Sequence, residues 1–307
     1  MLRGVNRSGL EYAWLPDFLG SVGITEDEME QIVRVWGANI VRVPFNQDMV
    51  LPPDGFDPNQ YDPNQYLTAL DTMIERAARR GAYTLLDLQW LDHTTARGTN
   101  NDGSKNFVAP LPNLKSLELW STLALRYREE PAVLFDIFNE PHDPLENDPV
   151  QLQGIRDDWS TFDIGSRKVT MKEWQPWAKQ LVLAIRSVHP EALIFVPGIN
   201  WAYNLDGHPL RDMDGLAYST HVYKDKAPDE DSWEDAFGEL SEDVPVFAGE
   251  WGGTDIQWGQ ALAEYLAKHT VGWTAWSWYN DPFLIQPPAA PWTPTEFGKL
   301  VYQQLHS

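Results

Sequence analysis

The sequence predicts one α/β domain, folded as a closed (β/α)8 (TIM) barrel that spans residues 1–307. Short apolar runs alternate with longer helical patterns about eight times, which indicates a parallel sheet. The 307 residues suit one large domain, because such barrels typically run to about 250 residues. The glycine-rich G-x-G-x-x-G turn that is typical of an open doubly wound sheet is absent. A closed barrel is therefore favoured over an open sheet.

The predicted strands are short segments, several of them almost continuously apolar, as expected of parallel strands that are covered on both faces. Each is rich in valine, isoleucine, leucine or aromatic residues and ends near a polar group. In chain order they comprise residues 2–6, 40–44, 83–89, 133–139, 193–197, 216–221, 246–250 and 272–278.

The first two predicted helices carry apolar residues three or four positions apart. Residues 26–36 place Met29 and Ile32 on one helical face. Residues 63–80 do the same and stop at Gly81, which is a plausible C-terminal cap.

The later helices follow the same rule. Residues 172–188 repeat tryptophan, leucine and isoleucine at helical spacing and end before the His189-Pro190 stop. The remaining predicted helices comprise residues 114–127, 257–269 and 295–305. Nothing in the composition marks a linker that would divide the chain.

The charge balance excludes several classes of partner. With 45 acidic and 23 basic residues the net charge is −22, which argues against nucleic acids and anionic membranes. The chain has no cysteine, so disulfides, thiolate metal sites and cysteine nucleophiles are excluded. No apolar run approaches the roughly 20 residues of a membrane helix. We expect a soluble protein.

In a barrel of this type the active site lies at the C-terminal ends of the strands. Polar and aromatic residues end every predicted strand, so we expect them to meet at one rim. They are Asn6, Arg42, Asp87, Gln89, Trp90, Asn139, Glu140, Asn200, Trp201, His221, Tyr223, Glu250, Trp251, Trp276 and Trp278.

Two of these strand ends are carboxylates, Glu140 and Glu250. A pair of acids across a pocket can divide the work of breaking a glycosidic bond. One donates a proton to the leaving oxygen, and the other attacks or activates water. For either acid alone a helix cap or an ion pair is the better interpretation, whereas the pair with its polar neighbours favours catalysis.

The neighbours of the acid pair have chemistry that suits this task. Arg42 could hold one glutamate ionised through a charge-assisted hydrogen bond, and Tyr223 could donate to the same group. Asn139 could bind a sugar hydroxyl. His221 could tune a neighbour's proton affinity, or could simply be a buried histidine bonded to a backbone carbonyl. The acids Asp87 and Asp136 lie inside strands, where we expect one or both to be structural ion-pair partners.

The chain has 15 tryptophans, and several sit beside glycine, asparagine or proline, where loops are expected. Loop tryptophans in an acidic protein suggest flat stacking surfaces for a neutral ligand, although partial burial under loops is the alternative. The tryptophans in question are Trp14, Trp90, Trp201, Trp251 and Trp292.

Taken together, these residues resemble glycoside hydrolase family five, a family of (β/α)8 glycosidases with catalytic acids on strands four and seven. The matching stretches are RGVNRSG, NIVRVPF, FDIFNEP, STHVY, VFAGEWG and GWTAWSW. They occur in family order and span roughly residues 3–278.

The resemblance implies a role for each matching residue. Glu140 corresponds to the general acid/base, and Glu250 to the nucleophile of a retaining mechanism that needs no cofactor. Asn139 would bind the 2-hydroxyl, and Arg42 would support the nucleophile.

The same resemblance implies roles for residues on the sixth and eighth strands. His221 and Tyr223 correspond to the family's sixth-strand histidine and tyrosine. Trp276 corresponds to the tryptophan under the sugar, with Trp278 as the alternative register.

The third strand departs from the family pattern. Many members have a histidine soon after the third-strand aspartate, whereas this chain has Gln89 there. Gln89 can bind a hydroxyl but carries no charge, and His93 could substitute from the loop. This departure leaves the substrate open.

The sequence therefore predicts a retaining endo-β-1,4-glycanase, first of all an endoglucanase (cellulase). The alternatives are a β-mannanase or another β-glycanase or β-glycosidase on the same fold, and a catalytically inactive carbohydrate-binding barrel. We expect Gln89, Trp90, His93, Trp201 and Trp251 to contribute to substrate binding. We expect no metal and no separate carbohydrate-binding module.

The expected partner is a β-linked polysaccharide or oligosaccharide, and the expected state is a monomer. Residues 1–4 lack the apolar stretch of a signal peptide. We expect a secreted protein whose signal is not part of this chain, with a cytoplasmic location as the alternative.

One further expectation concerns the backbone. Neighbouring residues on a strand point to opposite faces, so Asn139 and Glu140 can both reach a sugar only if the chain is irregular there, as in a bulge or an unusual peptide.

Overall fold

The computed structural model describes residues 1–12, 25–54, 62–92, 108–143, 168–207, 210, 212–286 and 292–307. Eight parallel strands form a closed barrel in chain order, and the last strand pairs with the first. The predicted (β/α)8 barrel is confirmed. The strands are β1 (Arg3–Asn6), β2 (Ile40–Asn46), β3 (Tyr83–Trp90), β4 (Val133–Asp136), β5 (Ile194–Pro197), β6 (Leu216–Tyr223), β7 (Val246–Gly252) and β8 (Gly272–Ala275).

Helices cover the outside of the barrel. Their amphipathic sequences bury one face against the strands, and a polar side chain accepts a backbone hydrogen bond at most of their first turns. They are α1 (Glu26–Glu30), α2 (Gln47–Val50), α3 (Pro63–Ala78), α4 (Leu114–Arg126), α5 (Met171–Arg186), α6 (Glu230–Trp233), α7 (Glu239–Ser241), α8 (Ile256–Lys268) and α9 (Glu296–Leu305).

Within the described ranges, two stretches have π-helical hydrogen bonding, namely Gln31–Val35 after α1 and Glu234–Gly238 between α6 and α7. A single 3-10 turn, Leu10–Tyr12, follows β1. No helix separates β5 from β6 among the residues described there. No helix in the described part has both the length and the apolar character to cross a membrane.

The interior of the barrel is layered. At the N-terminal ends of the strands, apolar side chains form a cluster of their own inside the barrel, comprising Ile40, Leu85, Leu134, Phe195 and Phe247. Side chains two positions further along a strand point to the same face. Arg42, Asp87 and Asp136 follow Ile40, Leu85 and Leu134 by two residues, so the next layer is charged. An apolar layer therefore lies directly beneath the charged layer of the barrel interior.

Two β-bulges shift the register near the C-terminal ends. Opposite β2, Gln89 is an extra residue between Leu88 and Trp90. Opposite β6, Gly249 is skipped, so that His221 pairs with Glu250. A bulge re-aims the side chains that follow it, and here it brings a histidine beside a glutamate.

Buried tryptophans tie two helices to strand ends. Trp120 on α4 donates its indole N–H to the carbonyl of Ile137 at 2.8 Å, just beyond β4. Trp174 on α5 donates to the carbonyl of Pro197 at 2.7 Å, at the end of β5. The indoles therefore satisfy backbone groups where the ladder stops.

The two ends of the chain meet at the N-terminal face of the barrel. Arg3, the first residue of β1, donates from Nη1 to the carbonyl oxygens of Gln304 at 3.0 Å and Ser307 at 3.2 Å. The charged rim lies at the opposite face.

Candidate active site

Arg42 on β2 is the hub of the charged layer. Its guanidinium is fully buried and forms ion pairs with three acids. The distances are 2.9 Å to Asp87 Oδ1, 2.9 Å to Asp136 Oδ2 and 2.8 Å to Glu250 Oε1. One cation thus links strands β2, β3, β4 and β7. The expectation that Asp87 and Asp136 are ion-pair partners is confirmed.

Two amides complete the surroundings of Arg42. Asn6 accepts from Nη1 through Oδ1 at 2.9 Å, while its own amide donates to the carbonyl of Gly249 at 2.9 Å. Asn139 accepts from Nη2 through Oδ1 at 3.0 Å. With its oxygen engaged in this way, the Asn139 amide nitrogen is the group left to donate to a ligand.

Burial and ion pairing have opposite effects on the pKa values of the groups in this layer. Burial raises the pKa of Asp136 to about 6 and that of Asp87 well above its ordinary range, although Arg42 pulls both back. Burial disfavours the charged form of Arg42, but Asp87, Asp136 and Glu250 outweigh it and raise the pKa of Arg42.

Glu250 on β7 has a hydrogen-bond donor on each carboxylate oxygen. Arg42 donates to Oε1 at 2.8 Å, and the Tyr223 hydroxyl donates to Oε2 at 2.7 Å. A cation and a phenol are the partners of an ionised carboxylate. These two hydrogen bonds therefore fix the orientation of the Glu250 carboxyl group at the rim.

Glu140 lies beyond β4 in a different environment. Its side chain is 17% exposed, and Oε1 lies 2.9 Å from His221 Nδ1. Burial raises the pKa of Glu140 to about 7, even though Lys226 and Arg42 lower it. A carboxyl group with this pKa can exchange its proton near neutrality.

His221 connects the two acids as a neutral ring. Burial lowers its pKa to about 3. Its Nε2 lies 3.5 Å from Arg42 Nη2, and arginine only donates, so Nε2 is the acceptor. The hydrogen then sits on Nδ1 and points at Glu140. The alternative of a core histidine bonded to a backbone carbonyl is wrong.

The two acids are close together. One oxygen of Glu140, one ring nitrogen of His221 and one oxygen of Glu250 all lie within 4.8 Å of one another. Retaining glycosidases hold their carboxyls about 5–5.5 Å apart, and inverting ones about 6.5–9.5 Å. The spacing suits direct attack by one carboxylate rather than a water held between the two.

The same three side chains also have the ligand types of a metal site. Both Glu250 oxygens already accept hydrogen bonds, one of them from the cationic Arg42. A divalent ion there would compete with that guanidinium. The donor set therefore fits an acid pair better than a metal.

The backbone explains how Asn139 and Glu140 share one site. β4 ends at Asp136, earlier than predicted, and the chain bends at Asn139. The Asn139 amide still donates to the carbonyl of Leu88 at 3.0 Å. An irregular backbone was expected, and it takes the form of an early departure from the ladder, with neither a cis peptide nor a left-handed residue at 139–140.

The prediction that a sugar stacks on Trp251 or Trp278 is wrong. Trp251 and Trp278 are both 0% exposed and cannot contact a ligand. Trp251 packs edge-to-face on Trp273 and Phe297, at centroid distances of 5.4 and 5.3 Å. Trp278 packs in the same manner on Trp36 at 4.8 Å. Both belong to the layer between barrel and helices.

Other predicted residues reach the rim, where their roles remain predictions. Trp276 is half-buried just beyond β8, and its amide donates to the carbonyl of Trp251 at 2.9 Å. Trp90 is half-buried at the end of β3, edge-to-face with Tyr12 at 4.7 Å. Gln89 is buried, and its Oε1 lacks a hydrogen-bond partner.

Trp201 lies in the loop after β5. His142 stacks on one face of its ring at a centroid distance of 3.7 Å. Trp201 is half-buried, so part of its surface is exposed. His93 and Trp14 lie outside the described residues.

Sequence reasoning did not select His142, Lys226, Glu11 or Tyr12. His142 follows Glu140 by two residues, and that proximity was the available signal. The buried Glu11 gave no comparable signal, because a glutamate after a strand and before a helix normally indicates a solvated loop.

The family model for cellulase (glycosyl hydrolase family 5) matches residues 2–282. An endoglucanase of Paenibacillus polymyxa is 25% identical over 321 residues, covering 89% of this chain and 74% of the relative. Endoglucanase E-5 of Thermobifida fusca is 24% identical over 338 residues, covering 100% of this chain but 60% of the relative.

Solved structures share the fold. The catalytic domain of Thermobifida fusca endoglucanase Cel5A (E5) has a TM-score of 0.70 at 20% identity, covering 100% of this chain and 92% of that one. The β-glucanase SdGluc5_26A of Saccharophagus degradans, solved with cellotetraose, has a TM-score of 0.72 at 22% identity, covering 99% and 87%. At this identity the likeness concerns the barrel itself.

Proposed function

Because this chain belongs to glycosyl hydrolase family 5, a family of retaining glycoside hydrolases, we propose that it is an endo-acting β-1,4-glucanase with Glu250 as nucleophile and Glu140 as acid/base. The carrying observation is that two acids within 4.8 Å have opposite environments. Glu250 is held by Arg42 and Tyr223, whereas burial raises the pKa of Glu140 to about 7.

The mechanism is a double displacement. In the first step Glu250 attacks the anomeric carbon while Glu140 gives its proton to the leaving glycosidic oxygen, so a covalent glycosyl-enzyme forms and the leaving sugar departs. In the second step Glu140 takes a proton from water, whose oxygen attacks the anomeric carbon and releases Glu250. The sugar keeps its anomeric configuration.

The remaining residues position these groups. Arg42 and Tyr223 fix the nucleophile, and Arg42 also orients Asn139, whose free amide nitrogen would donate to the 2-hydroxyl of the sugar. His221 donates to Glu140. Because these donors are held by buried contacts, they need not reorganise during the reaction.

Three observations support β-1,4-glucan as substrate. The relatives reported above are named endoglucanases. A structural neighbour was solved with cellotetraose. Trp90 and Trp276 keep part of their surface at the rim, where an apolar sugar face could stack. A polymeric substrate also favours the proposal that the protein is secreted and acts as a monomer.

Gln89 favours a second candidate, a β-mannanase or another β-glycanase. Its amide stands where many family members have a histidine, and its Oε1 has no partner. A neutral acceptor there could accommodate a different hydroxyl arrangement. The two candidates differ only in substrate.

The test compares wild type with Glu250→Ala on soluble β-glucan, glucomannan, mannan, xylan and xyloglucan, with reducing ends as readout. We expect hydrolysis of β-glucan by wild type and a loss of at least about 10³-fold in the variant, because the covalent route is removed. Binding of cello-oligosaccharide should persist in calorimetry, which an inactive binding barrel would also show.

The control is Glu129→Ala, which removes an acid whose side chain is 82% exposed and should leave hydrolysis unchanged. Hydrolysis by Glu250→Ala at the wild-type rate would refute the nucleophile assignment. A wild type inactive on all five polysaccharides would refute the glycanase proposal.

A further inference from the structure

A second cation, Lys226, lies on the acid/base side of the rim. Lys226 follows β6 in a tight turn, which its amide closes by donating to the carbonyl of Tyr223 at 3.1 Å. Its side chain is half-buried, and Nζ lies 5.3 Å from the ring centroid of Trp201. Within the described residues, no carboxylate lies within 4.0 Å of that ammonium.

The ring beneath Lys226 is fixed to the segment that carries Glu140. The Trp201 amide donates to the carbonyl of Pro141 at 3.0 Å. His142 stacks on Trp201 at 3.7 Å with an interplanar angle of 10°, and its Nδ1 lies 2.6 Å from the carbonyl oxygen of Glu140. Lys226, Trp201 and His142 are therefore linked by contacts that end at the backbone of Glu140.

Several ionisable groups surround Glu140. Two of them are neutral imidazoles, because burial lowers the pKa of His221 on β6 to about 3 and that of His142 to about 4. Glu250 on β7 is an acid whose oxygen lies within 4.8 Å of the Glu140 carboxyl. Tyr223, on β6, is an uncharged donor to Glu250.

The remaining groups are two cations. Arg42 from β2 is shared among three acids other than Glu140. Among the residues that the structure describes, Lys226 forms no such ion pair. Of the two cations, Lys226 has the larger influence on Glu140 and lowers its pKa against the dominant effect of burial.

We propose that Lys226 is a positioning residue for the acid/base, held by the Trp201–His142 stack so that its ammonium stabilises the carboxylate form of Glu140. This inference rests on the proposed function. Glu140 must hold a proton in the first step and accept one in the second. Burial alone would favour the protonated form throughout, and Lys226 offsets that preference.

The test replaces Lys226 with Met and follows two readouts. Removing the cation favours protonated Glu140, so the basic limb of the kcat/KM profile should move to higher pH by about half a unit or more. Below that limb, kcat should fall wherever the second step limits the rate. In parallel, carbon-13 NMR of labelled glutamate, assigned with Glu140→Gln, should show the same upward shift in the Glu140 titration.

Two variants serve as controls. Lys224→Met makes the same charge change two residues away, at an exposed lysine paired with Asp255, and should leave both readouts in place. Lys226→Arg keeps the cation and should keep the wild-type limb. Because Lys226 is half-buried, its effect should persist in 0.5 M salt, whereas that of an exposed charge would be screened.

A Glu140 titration that is unchanged in Lys226→Met, or one that moves equally in Lys224→Met, would overturn the inference. The NMR titration needs no substrate. A failure of the β-glucanase proposal therefore shows in the polysaccharide panel alone, and a failure of the Lys226 inference shows in the titration alone.

Discussion

Arg42 shows how much one residue can organise. A lysine there would keep the charge, but its single ammonium could not reach Asp136 from one nitrogen while reaching Asn6, Glu250 and Asn139 from others. The planar fork of the guanidinium holds these groups in one fixed arrangement. The proposed nucleophile Glu250 and the proposed sugar-binding amide of Asn139 are thereby oriented by the same side chain.

We expect Arg42→Met to lower the free energy of unfolding by about 3–5 kcal/mol, because it leaves buried carboxylates without their counter-charge. The deficit should shrink as the pH falls and the acids protonate. Guanidinium denaturation followed by circular dichroism measures both effects. Arg128→Met, at a pair whose arginine is 53% exposed, should change stability by less than about 1 kcal/mol. An Arg42→Met protein as stable as wild type would contradict this account.

The residue scale also shows where sequence reasoning fails. Glu140, Glu250, Arg42, Asn139 and Tyr223 were predicted to meet, and their distances place them together. The prediction that Trp251 contacts substrate was wrong, although its position in the strand already argued against it. Neighbours on a strand face opposite sides, so a residue directly after Glu250 had to point toward the helices.

At the scale of elements, the strands were predictable and their ends were not. All eight predicted strands overlap the observed ones, since apolar runs identify buried strands. β4 and β8 end three residues early, at Asp136 and Ala275. The residues beyond them, such as Ile137 and Phe138, are just as buried as the strand. Hydrophobicity therefore cannot show where the ladder stops.

The helical region 230–241 was missed altogether. Acid-rich segments are typical of solvated surface, yet Trp233, Ala236 and Phe237 are buried at helical spacing. Asp229 and Ser232 form a capping box at its start, which was a usable signal. By contrast, the bulge at Gly249 has no sequence signature stronger than a glycine inside a strand.

The bulge at Gly249 leaves little room for a side chain. A Cβ at Gly249 would lie 2.5 Å from Ser219 Oγ and 3.1 Å from His221 Nε2. We expect Gly249→Ala to cost about 1–3 kcal/mol of stability through overpacking. Activity should fall too, because His221, which donates to Glu140, would be displaced. Chemical denaturation and kcat on β-glucan are the measurements.

Ser219 offers a matched rescue. Its Oγ has no hydrogen-bond partner, so Ser219→Ala alone should be nearly neutral. Combined with Gly249→Ala it removes the nearest clash and should recover part of the lost stability. If the double variant is no more stable than Gly249→Ala, the steric explanation fails.

At the scale of the whole molecule, the net charge of −22 and the buried acids both lower the stability of the folded state as the pH rises. Glu11, in the turn after β1, is 1% exposed and accepts from the Gly9 amide at 2.6 Å. Burial raises its pKa to about 8. The folded state then holds a proton that the unfolded state releases, so its contribution to stability is complete below pH 4.5 and declines as the pH rises to about 8.

We therefore expect Glu11→Gln to match wild type at pH 4.5 and to exceed its unfolding free energy at pH 9 by a few kcal/mol, at most about 5. Denaturation curves at both pH values test this. Glu129→Gln, on the surface, should give no such pH-dependent gain. An equal gain at both pH values would show that packing, rather than ionisation, is responsible.

The meeting of the two chain ends has a practical consequence. Arg3 binds the last turn of the protein at the face opposite the catalytic rim. A tether, bead or fusion partner attached at either terminus would therefore lie at the face opposite the catalytic residues. The catalytic rim would remain directed toward bulk solution. An immobilised form should therefore keep its active-site rim accessible to substrate.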